Sequence, residues 1–320
     1  MRKVLLVCAM AVFGIAQSSA QLTTEDYGIF NRVGVGLGVG MNGISIDAAT
    51  FVTPYIGIRA GVDIMPKIKV NTELDLGVEE INKSIAQYNQ DIQDFNTQLE
   101  QLKQLDPTLS SLEGFDIGTG LPNEINVEGK FSNTTWHVLF DIYPFAKSSS
   151  FRITTGLYFG PDKVVSVYNE DQGALRVVTD YNETYDKLRQ SNNADVQSLI
   201  AEKGLKRVGV ELGDYFITPN PAERGDVEAK IKVSSVRPYI GIGFGRGVPK
   251  KRVGCQFDLG VQFWSTPKVY APTYNKNTET YINEQLEDTK AGGDGGDVLK
   301  TISKISVYPS MTLRIVGRIL

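Results

Sequence analysis

The stretch that decides the fold is R-V-G-C-Q-F-D-L-G-V-Q-F-W at residues 252–264. Every second position in it is apolar, and the positions between are glycine, polar or the final tryptophan: the apolar set is Val253, Cys255, Phe257, Leu259, Val261 and Phe263. This period of two predicts a β-strand with one apolar and one polar face. Its length matches the roughly 9–11 tilted residues with which a strand crosses a bilayer.

Seven other segments repeat this alternation, and the connections between them differ strongly in length. The segments lie at about residues 33–41, 44–48, 55–64, 136–142, 151–159, 236–244 and 307–319. Three connections are long insertions, at about residues 66–133, 168–229 and 266–300, and they alternate with short turns. Short turns at one membrane surface and long loops at the other are typical of bacterial outer-membrane barrels. We therefore predict an all-β fold, an eight-stranded antiparallel transmembrane β-barrel with three long, partly helical extracellular loop insertions.

The first connection carries the strongest turn signal of the chain. Asn42-Gly43 stands between two alternating segments. An Asn-Gly pair favours a type I′ hairpin turn, in which both residues have positive φ. The pair therefore predicts a tight hairpin between the first two strands.

The composition of the polar faces distinguishes a membrane barrel from a soluble one. Over the eight segments these faces contain glycine, arginine, aspartate, glutamine, tyrosine, serine and threonine, but no lysine or glutamate. A face in contact with water normally carries both. We therefore expect the polar faces to line the lumen and the apolar faces to contact lipid. The alternative is a soluble barrel with a ligand cavity, which reverses this assignment.

The lumen of the predicted barrel receives several charged side chains. An eight-stranded barrel is so narrow that side chains fill it, and charges in such a space are tolerated only when they are paired. The sequence therefore predicts an Arg–Asp network that plugs the lumen. The predicted members of this lumen network are Arg59, Asp63, Asp141, Arg152, Arg237, Asp258, Arg314 and Arg318.

The first insertion contains apolar residues at helical spacing. Steps of three and four residues join Val78, Ile81, Ile85, Tyr88, Ile92, Phe95, Leu99 and Leu102. This heptad seam predicts a helix over residues 78–105, about 40 Å long, that Asp106-Pro107 ends. The seam either packs on its own chain or forms an intermolecular coiled coil; in the second case the partner-binding residues are Ile81, Ile85, Tyr88, Ile92, Phe95, Leu99 and Leu102. In the second insertion, the spacing of Tyr181, Tyr185, Leu188, Val196 and Leu199 predicts two short helices.

The N-terminal residues predict export. Arg2 and Lys3 precede an apolar run at residues 4–15, and Ser18-Ser19-Ala20 follows it, which is the pattern of a cleaved signal peptide over residues 1–20. The formal net charge of the chain is −4, and no basic cluster is visible in the sequence. We therefore expect no nucleic-acid partner.

Two features of the sequence are candidate sites of chemistry. His137 is the only histidine, and we expect it to be a buried structural hydrogen bonder rather than a catalytic base. The segment Gly292–Leu299 matches one calcium-binding repeat of the G-G-x-G-x-D type, but such turns bind by stacking several copies, so we expect a flexible loop. The sequence therefore predicts no enzyme activity, no cofactor and no metal site.

The chain after the predicted signal resembles small outer-membrane β-barrels of the OmpA/OmpX-like type, in the long-looped form found in Bacteroidetes. The resemblance is carried by the Gly-alternating residues 33–40, by F-D-I-Y-P-F at residues 140–145 and by residues 308–320. It implies a place in the outer membrane, contact with outer-membrane lipid and lipopolysaccharide, and delivery by periplasmic chaperones and the barrel-assembly machinery. The ending Arg318-Ile319-Leu320 departs from the aromatic last residue that is usual in such barrels.

The insertions hold about half of the chain after the signal, and loops on a rigid scaffold usually carry function. We therefore expect a non-enzymatic surface protein whose loops bind an extracellular partner, associate with each other or serve a structural or adhesive role. The helix over residues 78–105 is the expected recognition element. The alternative function is a small-solute pore or transport accessory, which requires an emptier lumen.

Overall fold

The computed structural model describes residues 32–75, 85–118, 120–122, 124–131, 133–169, 173, 175–223 and 225–319. The predicted signal peptide lies outside the described residues. The beginning of the predicted heptad helix, with Val78 and Ile81, lies outside them as well.

Within these ranges, eight strands close into an antiparallel barrel. Numbered among the described strands in chain order, they are β1 (Val33–Gly40), β2 (Gly43–Thr53), β3 (Ile56–Ile64), β6 (Thr134–Ile142), β7 (Arg152–Phe159), β12 (Val236–Phe244), β13 (Val253–Phe263) and β16 (Val307–Arg318). Their order around the barrel is β1-β16-β13-β12-β7-β6-β3-β2, and β2 pairs with β1. All eight strands coincide with the segments predicted from alternation, so the predicted fold class is confirmed.

The barrel is apolar outside and polar inside. On β6, Trp136 and Phe140 are 63% and 42% exposed, whereas their chain neighbours Thr135 and Asp141 are 5% and 2% exposed. Aromatic side chains are exposed at both ends of the apolar belt, with Trp136 and Phe263 at one end and Phe145 and Phe244 at the other. β13, with 11 residues, rises about 25 Å at a tilt near 40°, which is the height of a lipid-facing band.

The hairpin between β1 and β2 is tight, but its turn differs from the predicted one. Gly40 pairs with Gly43, so the loop consists of Met41 and Asn42. Gly43 has a φ of +94°, whereas Asn42 is not among the described residues with positive φ. The type I′ turn with positive φ at both Asn42 and Gly43 was therefore a wrong prediction.

The three insertions emerge at the same end of the barrel, and their described residues form one body, which we call the crown (the described parts of residues 65–133, 160–235 and 264–306). Its described strands form a second antiparallel sheet with the order β4-β5-β8-β11-β14-β10-β9, and β15 pairs with β14. The strands are β4 (Ile68–Asp75), β5 (Glu124–Phe131), β8 (Lys163–Asn169), β9 (Val210–Leu212), β10 (Tyr215–Ile217), β11 (Glu228–Lys232), β14 (Lys268–Asn275) and β15 (Thr280–Leu286).

The crown sheet continues part of the barrel wall. β4, β8 and β14 follow directly after β3, β7 and β13, and β5 and β11 lead directly into β6 and β12. The order of these five strands in the crown sheet therefore repeats the order of their neighbours in the barrel. The sequence predicted irregular, partly helical loops here, and this sheet was missed.

The crown also contains helices. They are α1 (Ile85–Leu105), α2 (Arg176–Gln190), α3 (Ala194–Lys203), α4 (Asp288–Ala291) and α5 (Gly293–Ser303), together with 3-10 turns at Pro107–Ser111 and Pro221–Glu223. Asp106 accepts a hydrogen bond from the backbone N–H of Thr108 and starts the turn that follows α1, as expected from the Asp-Pro stop. None of the described helices is long and apolar enough to cross a bilayer.

Two predictions about the crown helices have different outcomes. The two short helices predicted in the second insertion are present as α2 and α3. The Gly/Asp segment predicted as a flexible loop instead contains the first turn of α5, which begins at Gly293. The prediction failed because glycine disfavours helix only weakly, by about 1 kcal/mol per residue, and the apolar residues that follow favour helix.

Candidate functional site

The middle of the lumen is crossed by a cluster of buried ion pairs centred on Asp258. This carboxylate lies 3.0 Å from Nη1 of Arg59 and 2.7 Å from Nη2 of Arg152. Arg314 contacts the same carboxylate. Because all four side chains are almost completely buried, each arginine depends on the carboxylates for compensation of its charge.

Two further aspartates complete the cluster. Asp141 lies 3.3 Å from Arg59 Nη2 and 3.3 Å from Arg152 Nε, and it accepts a hydrogen bond of 2.7 Å from the Thr154 hydroxyl. Asp47 lies 2.7 Å from Nε of Arg314. The cluster thus contains three arginines and three aspartates, and its formal charges balance. We call these six residues the lumen cluster.

Asp47 was missed from the sequence although its position could have been recognised. It alternates with Ile46 and Ala48 on β2 and therefore belongs to the polar face. The other members were predicted from the rule that every second residue of a strand faces the lumen, and this rule applies to Asp47 equally.

Three predicted members of the lumen network lie outside the lumen cluster. Arg237 is near the crown end and donates to the backbone carbonyls of Ser234 and Pro161 at 2.8 and 2.5 Å. Arg318 is at the opposite end and donates to the carbonyl of Lys250 at 2.9 Å. Asp63 accepts a 3.3 Å hydrogen bond from Asn42. Alternation along a strand places these side chains on the inner face but does not give their position along the barrel axis. The prediction that they belong to one network with the lumen cluster was therefore wrong.

Glycines of the barrel wall make room for the lumen cluster. A Cβ atom on Gly36 would lie 2.7 Å from Oδ1 of Asp47, and one on Gly38 would lie 2.5 Å from Cγ of Arg314. Both distances are too short for real contacts, so larger residues would displace the ion-paired side chains. The space that the glycines leave is therefore occupied by the cluster and is not an open channel.

His137 lies between the lumen cluster and the crown. Its Nδ1 is 3.6 Å from Oδ2 of Asp63, and its ring centre is 5.2 Å from that of Tyr158. Neither ring nitrogen has a hydrogen-bond partner among the described residues. His137 is buried as expected, but the predicted role as a hydrogen bonder is wrong. Within the described ranges, no group of His, Cys, Asp and Glu is arranged to hold a metal ion.

The heptad seam of α1 is part of the crown core. Tyr88, Ile92, Phe95 and Leu99 have no exposed surface and pack in one cluster with residues of α2, α3 and the segments between them. Ile85 and Leu102 are half-buried against the same cluster. The partner-binding role predicted for this seam is therefore corrected: a second helix would have to displace the chain's own core. The helix itself was predicted, but periodicity does not distinguish an internal from an external partner.

Polar contacts hold the crown core in place. The hydroxyls of Tyr88 and Tyr181 are 2.7 Å apart, and both donate to the carbonyl of Lys206. The amide of Asn96 donates to the carbonyl of Phe115 and accepts from its N–H, at 2.8 Å each. Burial raises the pKa of Tyr181 well above its ordinary value. The crown is therefore a folded body with a specific core rather than a set of independent loops.

Arg207 joins the second and third insertions. Its guanidinium lies 3.5 Å from the ring centre of Tyr274 and donates to the hydroxyl of Tyr281 at 2.6 Å. It also contacts Asp186 on α2. Burial raises the pKa of Asp186, and the hydrogen bond from Arg207 opposes this shift. This contact ties the β14–β15 hairpin to the helical part of the crown.

Comparisons with known proteins give similarity in shape alone. No family model and no curated protein matches this sequence. Among solved structures, Acinetobacter baumannii CarO2 is similar with 14% identity and a TM-score of 0.40, over 90% of this chain and 98% of that one. Acinetobacter baumannii CarO is similar with 11% identity and a TM-score of 0.40, over 91% and 99% of the two chains. A major outer membrane protein from Thermus thermophilus has 9% identity and a TM-score of 0.36, over 90% and 98%.

All three TM-scores lie below 0.5. The assignment of this chain as a transmembrane β-barrel therefore rests on its own closed strand order and on its exposed apolar belt.

Proposed function

We propose that this protein is a non-enzymatic outer-membrane barrel that does not conduct solutes and that displays the crown at the cell surface. The crown serves there as a binding or adhesive body. The single observation that carries this proposal is the lumen cluster, in which Asp258 pairs with arginines from three other strands.

The lumen cluster supports an anchoring barrel rather than a pore. Arg59 comes from β3 and Asp258 from β13, so their 3.0 Å contact spans the interior. Opening a passage would separate charges that are buried on all sides, and an unpaired buried charge costs several kcal/mol. The glycines that make a wider lumen conceivable lie against Asp47 and Arg314 instead of empty space.

The construction of the crown supports a role at the surface. Its sheet continues the barrel wall, and its core is buried around Phe95 and Tyr181. Such a body presents its outer residues on a folded support. Because the seam of α1 is internal, the surface available to a partner is the exposed side of α1, with Gln90, Gln93 and Thr97, and the neighbouring crown surface.

Planar-bilayer recording tests the absence of a pore. The purified full-length chain is added to the bilayer, and its insertion is followed by heat-dependent gel mobility. We expect a folded barrel that shifts on boiling and gives no conductance steps of porin size. Regular steps from a sample that is fully folded would replace the proposal with the small-solute pore.

The role of the crown is tested by removing it while keeping the barrel. Each of the three insertions is replaced by a two-residue Asn-Gly turn, and cells with either form are compared for clumping and for attachment to glass. We expect both forms to be heat-modifiable in the outer-membrane fraction and only the complete form to promote clumping or attachment. Equal behaviour of the two forms would remove the adhesive role.

A further inference from the structure

Lysines from separate segments form a row on the outer face of the crown sheet. Direct cross-strand pairing joins Lys69 to Lys130, Lys130 to Ser166, Ser166 to Lys230 and Lys230 to Tyr270. A second row, closer to the barrel, joins Lys163 to Lys232 and Lys232 to Lys268. Residues directly opposite each other in an antiparallel sheet point to the same face. We call these residues the lysine girdle: Lys69, Lys130, Lys163, Lys230, Lys232 and Lys268.

The lysine girdle faces away from the crown interior. Phe131 and Ile231, which neighbour Lys130, Lys230 and Lys232 along their strands, pack against the internal cluster of Val164, Val233 and Trp264. On β8 the pairing register shifts between Lys163 and Val165, so Val165 packs against the same cluster although Lys163 pairs with Lys232 of the girdle. Lys163 and Lys230 reach the same carboxylate, Glu228, at 3.0 Å each. Because neighbouring residues of a strand point to opposite faces, the girdle lies on the outer face, which continues the lipid-facing surface of the barrel.

The girdle row that is closer to the barrel lies just beyond the apolar belt. Lys163 follows the exposed Phe159 by four residues, and Lys232 precedes the exposed Val236 by four. At about 3.3 Å per residue and a tilt near 40°, four residues correspond to about 10 Å along the membrane normal. The polar layer of a bilayer extends roughly 5–7 Å beyond the hydrocarbon, and lysine stems bend so that the ammonium group reaches such a layer.

The girdle carries more positive than negative charge. Its carboxylate partners are Glu128, Glu228 and Asp162, which pair with Lys69, with Lys163 and Lys230, and with Lys232. Six lysines therefore face three carboxylates, and the net charge is +3, although the whole chain carries −4. Glu287 is a further carboxylate near this face, because it follows Leu286, which pairs with Val269 next to Lys268. It forms an ion pair of 3.1 Å with Lys290, which is not a girdle residue.

The ammonium groups of two girdle lysines lie over aromatic rings. Nζ of Lys130 lies 5.1 Å from the ring centre of Tyr168, and Nζ of Lys232 lies 5.2 Å from that of Tyr270. These cation–π contacts restrain the two side chains along the sheet. The positive charges are therefore held in a band around one side of the molecule at the level where lipid headgroups meet the crown.

We propose that the lysine girdle is a binding site for the phosphate groups of an anionic membrane glycolipid in the leaflet on the crown side. The proposal rests on the outer-membrane location proposed above. The girdle is continuous with the lipid-facing belt, and its charge is complementary to phosphate. A bound glycolipid places its acyl chains against the apolar belt and its phosphates between the lysines of neighbouring strands.

The test measures lipid binding to the full-length folded protein in detergent by native mass spectrometry. The probes are bisphosphorylated lipid A, its fully dephosphorylated form and inorganic phosphate. The variant is Lys130→Gln with Lys268→Gln, because the ion pairs that the girdle makes with described carboxylates involve the other four lysines. The matched control is Lys187→Gln with Lys206→Gln, two exposed crown lysines outside the sheet.

We expect the parent protein and the control to retain bisphosphorylated lipid A with similar affinity. A basic residue near an anionic lipid surface strengthens binding roughly fivefold, so the affinity of the double variant falls about 25-fold. Dephosphorylated lipid A binds the parent weakly, and inorganic phosphate does not displace the phosphorylated form at comparable concentrations.

Three outcomes would overturn the inference. They are an unchanged affinity of the double variant, equal binding of dephosphorylated lipid A, and displacement by equimolar inorganic phosphate, which would indicate a site for free phosphate. Heat-dependent gel mobility is measured on the same samples. A barrel that folds normally without this lipid preference refutes the girdle site alone, whereas a chain that does not form a heat-modifiable barrel refutes the proposed function.

Discussion

Asp258 and Arg59 form an ion pair of 3.0 Å although β13 and β3 are four strands apart in both directions around the barrel. The two strands are therefore diametrically opposite, and the pair crosses the full width of the lumen. Arg152 and Arg314 approach the same carboxylate from two further strands. The interior of this barrel is therefore held by side chains that connect opposite walls.

Substitution of Asp258 by asparagine tests the energetic role of this carboxylate. Asp258→Asn leaves three buried arginines with two aspartates, and loss of one partner from a buried ion pair typically costs about 3–5 kcal/mol. We expect the barrel to unfold at clearly lower temperature, measured as the temperature at which the heat-dependent gel shift occurs.

The control for this substitution is Asp180→Asn, which removes an exposed pair with Arg176 on α2. Such a surface pair contributes at most about 0.5 kcal/mol. If both variants unfolded at the temperature of the parent, the lumen cluster would not be the main support of the barrel.

Glycines that contact the lumen cluster should not tolerate a side chain. A Cβ on Gly38 would lie 2.5 Å from both Arg314 Cγ and Ser45 Oγ, whereas the nearest atom to a Cβ on Gly317 is 4.0 Å away. We expect Gly38→Ala to destabilise the barrel by about 1–3 kcal/mol and Gly317→Ala to have little effect. Urea-induced unfolding in detergent measures both, and equal stabilities would contradict a filled lumen.

Truncation of the α1 seam should unfold the crown and leave the barrel intact. Phe95 has no exposed surface and meets Phe115 edge-on with ring centres 5.3 Å apart. Phe95→Ala should cost about 3–5 kcal/mol, which is detected as proteolysis within the crown of a barrel that still shifts on heating. Thr97→Ala, on the exposed side of α1, is the control.

The same variant distinguishes the two interpretations of the seam. A crown that stays resistant to protease while Phe95→Ala abolishes association between chains would show that the seam pairs intermolecularly after all.

The stability of the crown should depend on pH through Glu228. Burial raises the pKa of this carboxyl, but hydrogen bonds from Lys163, Lys230 and Ser166 outweigh it and lower the pKa from 4.5 to about 2. Since the pKa is lower in the folded crown, the ionised carboxylate stabilises it above a pH of about 4.5. This contribution is lost as the pH falls toward about 2.

Comparison of Glu228→Gln with the parent isolates this effect. We expect the variant to unfold at lower urea concentration than the parent at neutral pH, and the difference between them to vanish near pH 2. Tryptophan fluorescence measures unfolding in urea. Glu100→Gln, which removes an exposed pair with Lys103, is the control. A difference between Glu228→Gln and the parent that does not change with pH would contradict the assigned ion pairs.

The barrel could be predicted from the sequence because its determinants are local. Each strand alternates along its own length, as Val253 to Phe263 does. Lipid on one face and a crowded lumen on the other impose this period of two on each strand separately, so it can be recognised in one segment alone. The helix seam of α1 is local in the same sense. Its periodicity predicted the helix, although it did not tell which chain the seam contacts.

The crown sheet could not be predicted because its strands are irregular in pattern and paired across long sequence distances. β5 and β8 pair through Gly129 and Val167, which are far apart in the chain, and neither strand alternates clearly. The depth of Arg237 and Arg318 in the lumen was not predictable either, because parity gives the face of a residue but not its partner.

By itself, the sequence determined the barrel, its inside-out polarity and the positions of α1, α2 and α3, because periodicity along one segment suffices for each. The tertiary structure decided which arginines meet Asp258, that the α1 seam is internal, and that dispersed lysines become one girdle. The girdle is not visible in the sequence, since Lys69, Lys130, Lys163, Lys230 and Lys268 belong to five different strands. Their charges converge only when the crown sheet brings these strands side by side, about 4.8 Å apart.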